Sequence, residues 1–143
     1  TNTLNEMIFH EFVYDQNFSD LETSVGLVLS EKRGVCQDFA HLMLATLRSK
    51  GVACRYVSGY LETDPPPGQP KLMGADASHA WVSVFVSGTG WIDFDPTNGL
   101  LPSERHVTLA WGRDYDDVVP LKGLMTGGSQ HALEVSVDVT PLE

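Results

Sequence analysis

Residues 34–61 read GVCQDFAHLMLATLRSKGVACRYVSGYL, and the period of the chain changes inside them. Cys36 to Lys50 is rich in Leu, Met and Ala, which are strong helix formers. Phe39, Leu42, Met43 and Leu47 recur at helical spacing and make one core-facing stripe. Arg48 and Lys50 sit where cations favour a helix C-terminus, and Gly51 stands where Gly commonly ends one. The helix therefore starts at or just before Cys36. ACRYVSGYL, residues 53–61, then carries the β-formers Tyr56, Val57 and Tyr60 and reads as a strand.

Upstream, Leu4, Met7, Ile8 and Phe12 predict a helix over 3–13, and TSVGLVLSEKR predicts a second over 23–33 that stops at Gly34. Downstream, residues 62–78 hold four prolines and two glycines, so they continue neither sheet nor helix. A loop this long inside a compact domain is usually functional or mobile, and it leads directly into His79. HAWVSVFV (79–86) and WIDFD (91–95) read as two strands joined through Ser87-Gly88-Thr89-Gly90. HVTLAWG (106–112) and HALEVSVDV (131–139) are two more. Helices first and antiparallel strands after is the α+β pattern.

The 143 residues suit a single domain spanning 1–143, expected to be excised from a longer chain because it opens on Thr1 rather than Met. A net charge of −10 repels phosphate backbones and argues against nucleic acid as a partner. No run of 18 apolar residues or basic cluster points to a membrane, and the sequence does not set the oligomeric state. Two cysteines are too few for a disulfide framework, so both thiols are expected to be free and the compartment reducing, that is, cytoplasmic.

Cys36 is the candidate nucleophile. The free N–H groups of a helix N-terminus stabilise a thiolate and can also hold an oxyanion. The competing reading is a small buried hydrophobe, the common fate of a free cysteine. Cys54, in the middle of a strand between Ala53 and Arg55, fits that second reading. A nucleophilic thiol needs a base, and the base needs an orienting group. Of the five histidines, His41 lies on the same helix five positions on and points away, and His10 sits in the first helix. His79 opens a strand and is followed by Trp81, whose indole could shield the site.

Alternation puts His79, Trp81, Ser83 and Phe85 on one face, and Trp91, Asp93 and Asp95 on one face of the next strand. The faces coincide only where paired residue numbers sum to an even value. Pairing Val84 with Gly90 sets Asp95 directly opposite His79. Pairing Phe85 with Trp91 makes it the diagonal neighbour, about 7–8 Å away. The odd register from Val86 to Trp91 separates them. Asp93 shares the parity but faces His79 only if Val84 and Phe85 lose their partners, so Asp95 is the expected partner. Asp38 reads as a helix-stabilising carboxylate in a first turn. Cys36, His41, Cys54 and His79 match no zinc-ligand spacing, so no metal and no cofactor are expected.

GVCQDFAHLMLATLRSKGVACRYVSGYL and SHAWVSVFVSGTGWIDFDPTNG resemble the transglutaminase-like superfamily, and within it the bacterial cysteine protease group. The tail AWGRDYDDVVPLKG resembles that group as well. The resemblance implies a papain-like core and places a catalytic triad on Cys36, His79 and Asp95. It implies a peptide or protein amide substrate and a thioester acyl-enzyme, with hydrolysis favoured over amine cross-linking. Trp81, Trp91 and the proline loop are the expected walls of the site. The rival function is a non-catalytic binding module on the same fold, because fold does not fix function.

Overall fold

The computed structural model describes residues 1–65, 67–69, 76–120, 122–123, 126–127 and 135–142. Three helices come first: α1 (Asn2–Glu11), α2 (Val25–Glu31) and α3 (Cys36–Ser49). Two short strands, β1 (Val13–Tyr14) and β2 (Arg33–Gly34), flank α2. Then follow β3 (Cys54–Leu61), β4 (Ala77–Val86), β5 (Gly90–Phe94) and β6 (His106–Gly112), and a 3-10 turn at Tyr115–Asp117. The four long strands form one antiparallel sheet in the order β5-β4-β3-β6.

The stripe on α3 behaves as its spacing demands. Phe39, Ala40, Met43, Leu44 and Leu47 are buried against Tyr56, Ala80, Val82, Val84 and Phe94 on one face of the sheet. Each large side chain removed from water there contributes roughly 1.5–3 kcal/mol. This packing holds the start of α3 against the middle of the sheet, and the thiol with it.

The second helix is shorter than its sequence predicts. Ser24 caps it by accepting from the Leu27 N–H at 3.3 Å, and the chain turns left-handed at Lys32, with φ 52°. The reason is a competing partner. Arg33 and Gly34 leave the helix to pair in parallel with Val13 and Tyr14, through Val13 N to Lys32 O at 2.8 Å and Asp15 N to Gly34 O at 2.9 Å. Gly34 does not cap α2 as expected. It clears space for α3, because a Cβ there would stand 2.7 Å from Asp38 Oδ2.

The predicted last strand falls partly on residues 131–134, which lie outside the described residues. Over Val135–Val139, alternation yields only an isolated pairing at Val137, whose carbonyl accepts from the Asp76 N–H at 3.1 Å. The Asp76 carboxylate takes the Val139 N–H at 2.7 Å, which a ladder would otherwise use. Residues 66 and 70–75 of the predicted proline loop also lie outside the described residues, and with them that loop's expected mobility. Among the described residues, no helix is long and apolar enough to cross a membrane.

Candidate active site

Cys36 is the first residue of α3, with Val35 in extended conformation before it. The first helical hydrogen bond closes from Phe39 N to Val35 O at 3.1 Å, which leaves the N–H groups ahead of Phe39 without a helical acceptor. The Asp38 carboxylate folds back over this end. It accepts from Val35 N at 2.7 Å and from the Ser19 hydroxyl at 2.5 Å, so it caps the helix.

His79 lies near the start of β4, opposite Gly59 of β3. The β4–β5 hairpin takes the register Phe85 to Trp91 and Val86 to Gly90, one of the two even-sum pairings. Asp95, just beyond β5, is thereby the diagonal neighbour of His79, and its Oδ2 stands 2.8 Å from His79 Nε2. Asp93 has a different role: its Oδ2 accepts from the Trp81 indole N–H at 3.0 Å. Trp81 is fully buried, with its ring 6.1 Å from that of His79.

Asp95 is fully buried and heavily bonded. Its Oδ1 accepts from the backbone N–H groups of Thr97 and Asn98 at 3.0 and 3.2 Å, in the turn that Asp-Pro-Thr-Asn favours. Its Oδ2 also accepts from Asn98 Nδ2 at 2.7 Å and faces His106 Nε2 at 3.0 Å. Burial pushes this carboxyl up, but the bonds from His106, His79 and Asn98 outweigh it and hold it well below the usual carboxylate range. Burial likewise pushes His79 down. Its bonds to Asp95 and Cys36 win, and the imidazole is raised to about 9. The structure thus brings Cys36, His79 and Asp95 together. It adds Asn98 and His106, which the sequence reading did not single out. Asn98 is legible in hindsight as part of the Asx turn at Asp95. His106 is not, because no periodicity tells which strand β6 will neighbour.

A cavity of about 130 Å³ opens at this point. Cys36, Gln37, Tyr56, Ser58, Ser78, His79 and Tyr115 are among its lining residues. Larger hollows of about 560 and 270 Å³ lie around Glu62, Asp64 and Arg105, the second reaching Asn98 and His106. Thiol and imidazole meet in the small cavity, which makes it the candidate site. Trp91 is not one of its walls, contrary to expectation. It shares the sheet face of His79 and Trp81 but stands opposite Phe85, toward the β4–β5 turn, 45% exposed, where the Arg55 guanidinium stacks 4.1 Å from its ring and 4.2 Å from that of Trp111.

The other candidates disperse. His41 accepts from the Tyr115 N–H at 3.3 Å and packs on Tyr56, and burial lowers its pKa. Cys54 is free, half-buried, and 3.9 Å from the Leu44 carbonyl. Ligand atoms of His79, Asp95 and His106 do lie within 4.8 Å of one another, a spacing that could hold a metal. In this structure both imidazoles meet the same carboxylate oxygen, at 2.8 and 3.0 Å.

Residues 1–96 match the family model described as the Transglutaminase-like superfamily. An uncharacterized protein of Mycobacterium tuberculosis is 45% identical over 145 residues, covering 98% of this chain and 46% of its own length. A protein-glutamine gamma-glutamyltransferase of Pseudomonas aeruginosa is 33% identical over 102 residues, 68% of this chain and 15% of that protein. The crystal structure of a candidate cysteine protease from Cytophaga hutchinsonii superposes with a TM-score of 0.68 at 30% identity, over 82% of this chain and 37% of that one. The periplasmic domain of TgpA from Pseudomonas aeruginosa gives 0.52 at 28% identity, over 68% and 35%. The chain therefore spans less than half the length of the mycobacterial relatives it matches, 46% of the Mycobacterium bovis and Mycobacterium tuberculosis proteins and 40% of the Mycobacterium leprae one.

Proposed function

The chain belongs to the transglutaminase-like superfamily, and from that premise we propose that it is an amide-cleaving enzyme in which Cys36 is the nucleophile, His79 the base and Asp95 the orienting group. The observation that carries this reading is the meeting of a helix-start thiol with an imidazole in one cavity, the imidazole being held from behind by a buried carboxylate.

His79 Nε2 is committed to Asp95, so the other ring nitrogen, Nδ1, takes the thiol proton. The Cys36 sulfur forms a bond to the amide carbon, and the carbonyl π electrons move to oxygen. The free N–H groups at the start of α3 receive that oxyanion. When the intermediate collapses, the C–N bond breaks and the imidazolium proton leaves with the amine. A thioester remains on Cys36. His79 then takes a proton from water, the hydroxide adds to the thioester carbon, and the C–S bond breaks; the imidazolium proton returns to sulfur to restore the thiol, and the released acid ionises to a carboxylate, its proton passing to solvent.

Hydrolysis is favoured over transfer to an amine. Transfer requires that water be kept out, and the cavity is lined by Gln37, Ser58, Ser78 and Tyr115, while Trp91 stands away from it, toward the β4–β5 turn. Cross-linking is the second reading, because the Pseudomonas relative is a protein-glutamine gamma-glutamyltransferase. The substrate class is a peptide or side-chain amide.

Labelling with a peptide-amide electrophile tests the nucleophile. Wild-type protein is expected to take one label, on the peptide containing Cys36, and a folded Cys36→Ala variant none. Equal labelling of Cys54 would overturn the assignment. Incubation of a glutamine peptide with a fluorescent primary amine separates the two outcomes: hydrolysis predicts ammonia release without adduct, and a dominant adduct reverses the preference.

A further inference from the structure

The reaction above leaves a buried imidazole beside the site without a task. His106 opens β6, outside the residues 1–96 that match the family, and only 4% of its side chain is exposed. Its Nε2 stands 3.0 Å from Asp95 Oδ2, the same oxygen that bonds His79 Nε2 at 2.8 Å. Its orientation is fixed on two further sides. The Ser103 N–H donates to Nδ1 at 3.4 Å, so the ring proton resides on Nε2 and points at Asp95. The Trp81 ring meets it edge-on, 5.3 Å between centroids at 87°.

We propose that His106 is a positioning residue for His79, acting through the Asp95 oxygen that both imidazoles share. The proposal rests on the triad reading. The logic is competition for one oxygen. Every donor to a carboxylate disperses its charge, and what remains is what holds the proton on His79. Burial opposes that proton, and Asp95 and Cys36 favour it. With His106 bonded, Asp95 orients the imidazole without gripping the imidazolium so firmly that it cannot release its proton to a leaving amine. The titratable groups bearing on His79 are Cys36 from α3 and Asp95 after β5, with His106 of β6 beside it at 5.9 Å between rings.

The test follows iodoacetamide alkylation of Cys36 against pH in a Cys54→Ala background, so that a single thiol reports. Wild type is expected to show two inflections, the upper one belonging to His79. His106→Leu removes a donor from Asp95 and should move that upper inflection to higher pH, by on the order of half a unit or more. His106→Gln, which can present an amide N–H near the same place, should restore it. A purely structural His106 would lower the melting temperature of the leucine variant yet leave the two profiles superimposed, and that result overturns the proposal. A single ordinary thiol inflection in the wild type would sink the triad reading itself. Long-range 1H–15N spectra of the wild type give a check that needs no variant: the His106 proton is expected on Nε2 at pH 8, and a proton on Nδ1 instead overturns the assignment.

Discussion

Asp95 and Asp93 differ by one step of alternation, and the step decides what each carboxylate does. Asp95 accepts from two imidazoles, one amide side chain and two backbone N–H groups. Asp93 accepts from the Trp81 indole. In Asp95→Asn the amide would present N–H groups to donors, so His79 loses its held tautomer, and turnover should fall by about 10⁴-fold, the loss known for such a change in serine proteases. Asp93→Asn keeps an oxygen for the indole and should cost less than tenfold, roughly 1 kcal/mol at most. Rates of thioester formation in the two variants check this, and a severe Asp93 defect beside a near-normal Asp95 variant would reverse the roles. Cys54 offers the opposite contrast: Cys54→Ala should keep full activity and lower unfolding stability by about 1 kcal/mol, the cost of removing one half-buried sulfur. Urea unfolding beside an activity assay reads both at once. Parity made Asp95 legible in the sequence, because a side chain's face depends only on counting. His106 was illegible, because its partner arrives through the pairing of β6 with β3, a contact between strands separated by β4, β5 and three connections.

At the scale of elements, the sequence reveals what is local. The start of α3 at Cys36, the β3 strand and the β4–β5 hairpin all follow from composition and period. The end of α2 does not, because it is set by a pairing between β1 and β2 that no helical pattern announces. Nor does the demand placed on Gly59. It faces His79 across the β3–β4 ladder and sits at the register shift between β3 and β6. A Cβ there would meet the Val107 carbonyl oxygen at 2.2 Å and the Trp81 ring at 2.5 Å. The first neighbour is backbone and cannot swing aside. Gly59→Ala should therefore open the β3–β6 ladder or tilt Trp81, at a cost of about 1–3 kcal/mol. Urea unfolding and the emission spectrum of Trp81 monitor the two routes. An alanine variant as stable as the wild type, with unchanged emission, would show that the strands have slack that the close approach denies.

For the molecule as a whole, the order of helices before strands announced the α+β class, while the strand order β5-β4-β3-β6 could not be counted out of the sequence. That order buries a carboxylate and an imidazole together, and the burial makes stability depend on pH. His79 is raised from 6.5 to about 9 in the folded protein. A raised group gives stability that is complete below its unfolded pKa and is lost as pH climbs through the folded one. Asp95 is held below its ordinary value of 3.8, so its contribution is present above that value and is lost as pH falls toward the folded one. Together they predict a plateau from about pH 4 to 6.5 and a decline from there to about 9. His41, lowered by burial, contributes with the opposite sign, gaining with pH until an unfolded histidine has titrated. A His79→Gln variant carries that same gain, so subtracting its curve from the wild type isolates the pair. The unfolding free energy of the wild type should lose ground relative to His79→Gln between pH 6.5 and 9, and the difference should level off beyond. Parallel curves across that window would mean that His79 holds its proton no more tightly folded than unfolded, and that Asp95 only orients it.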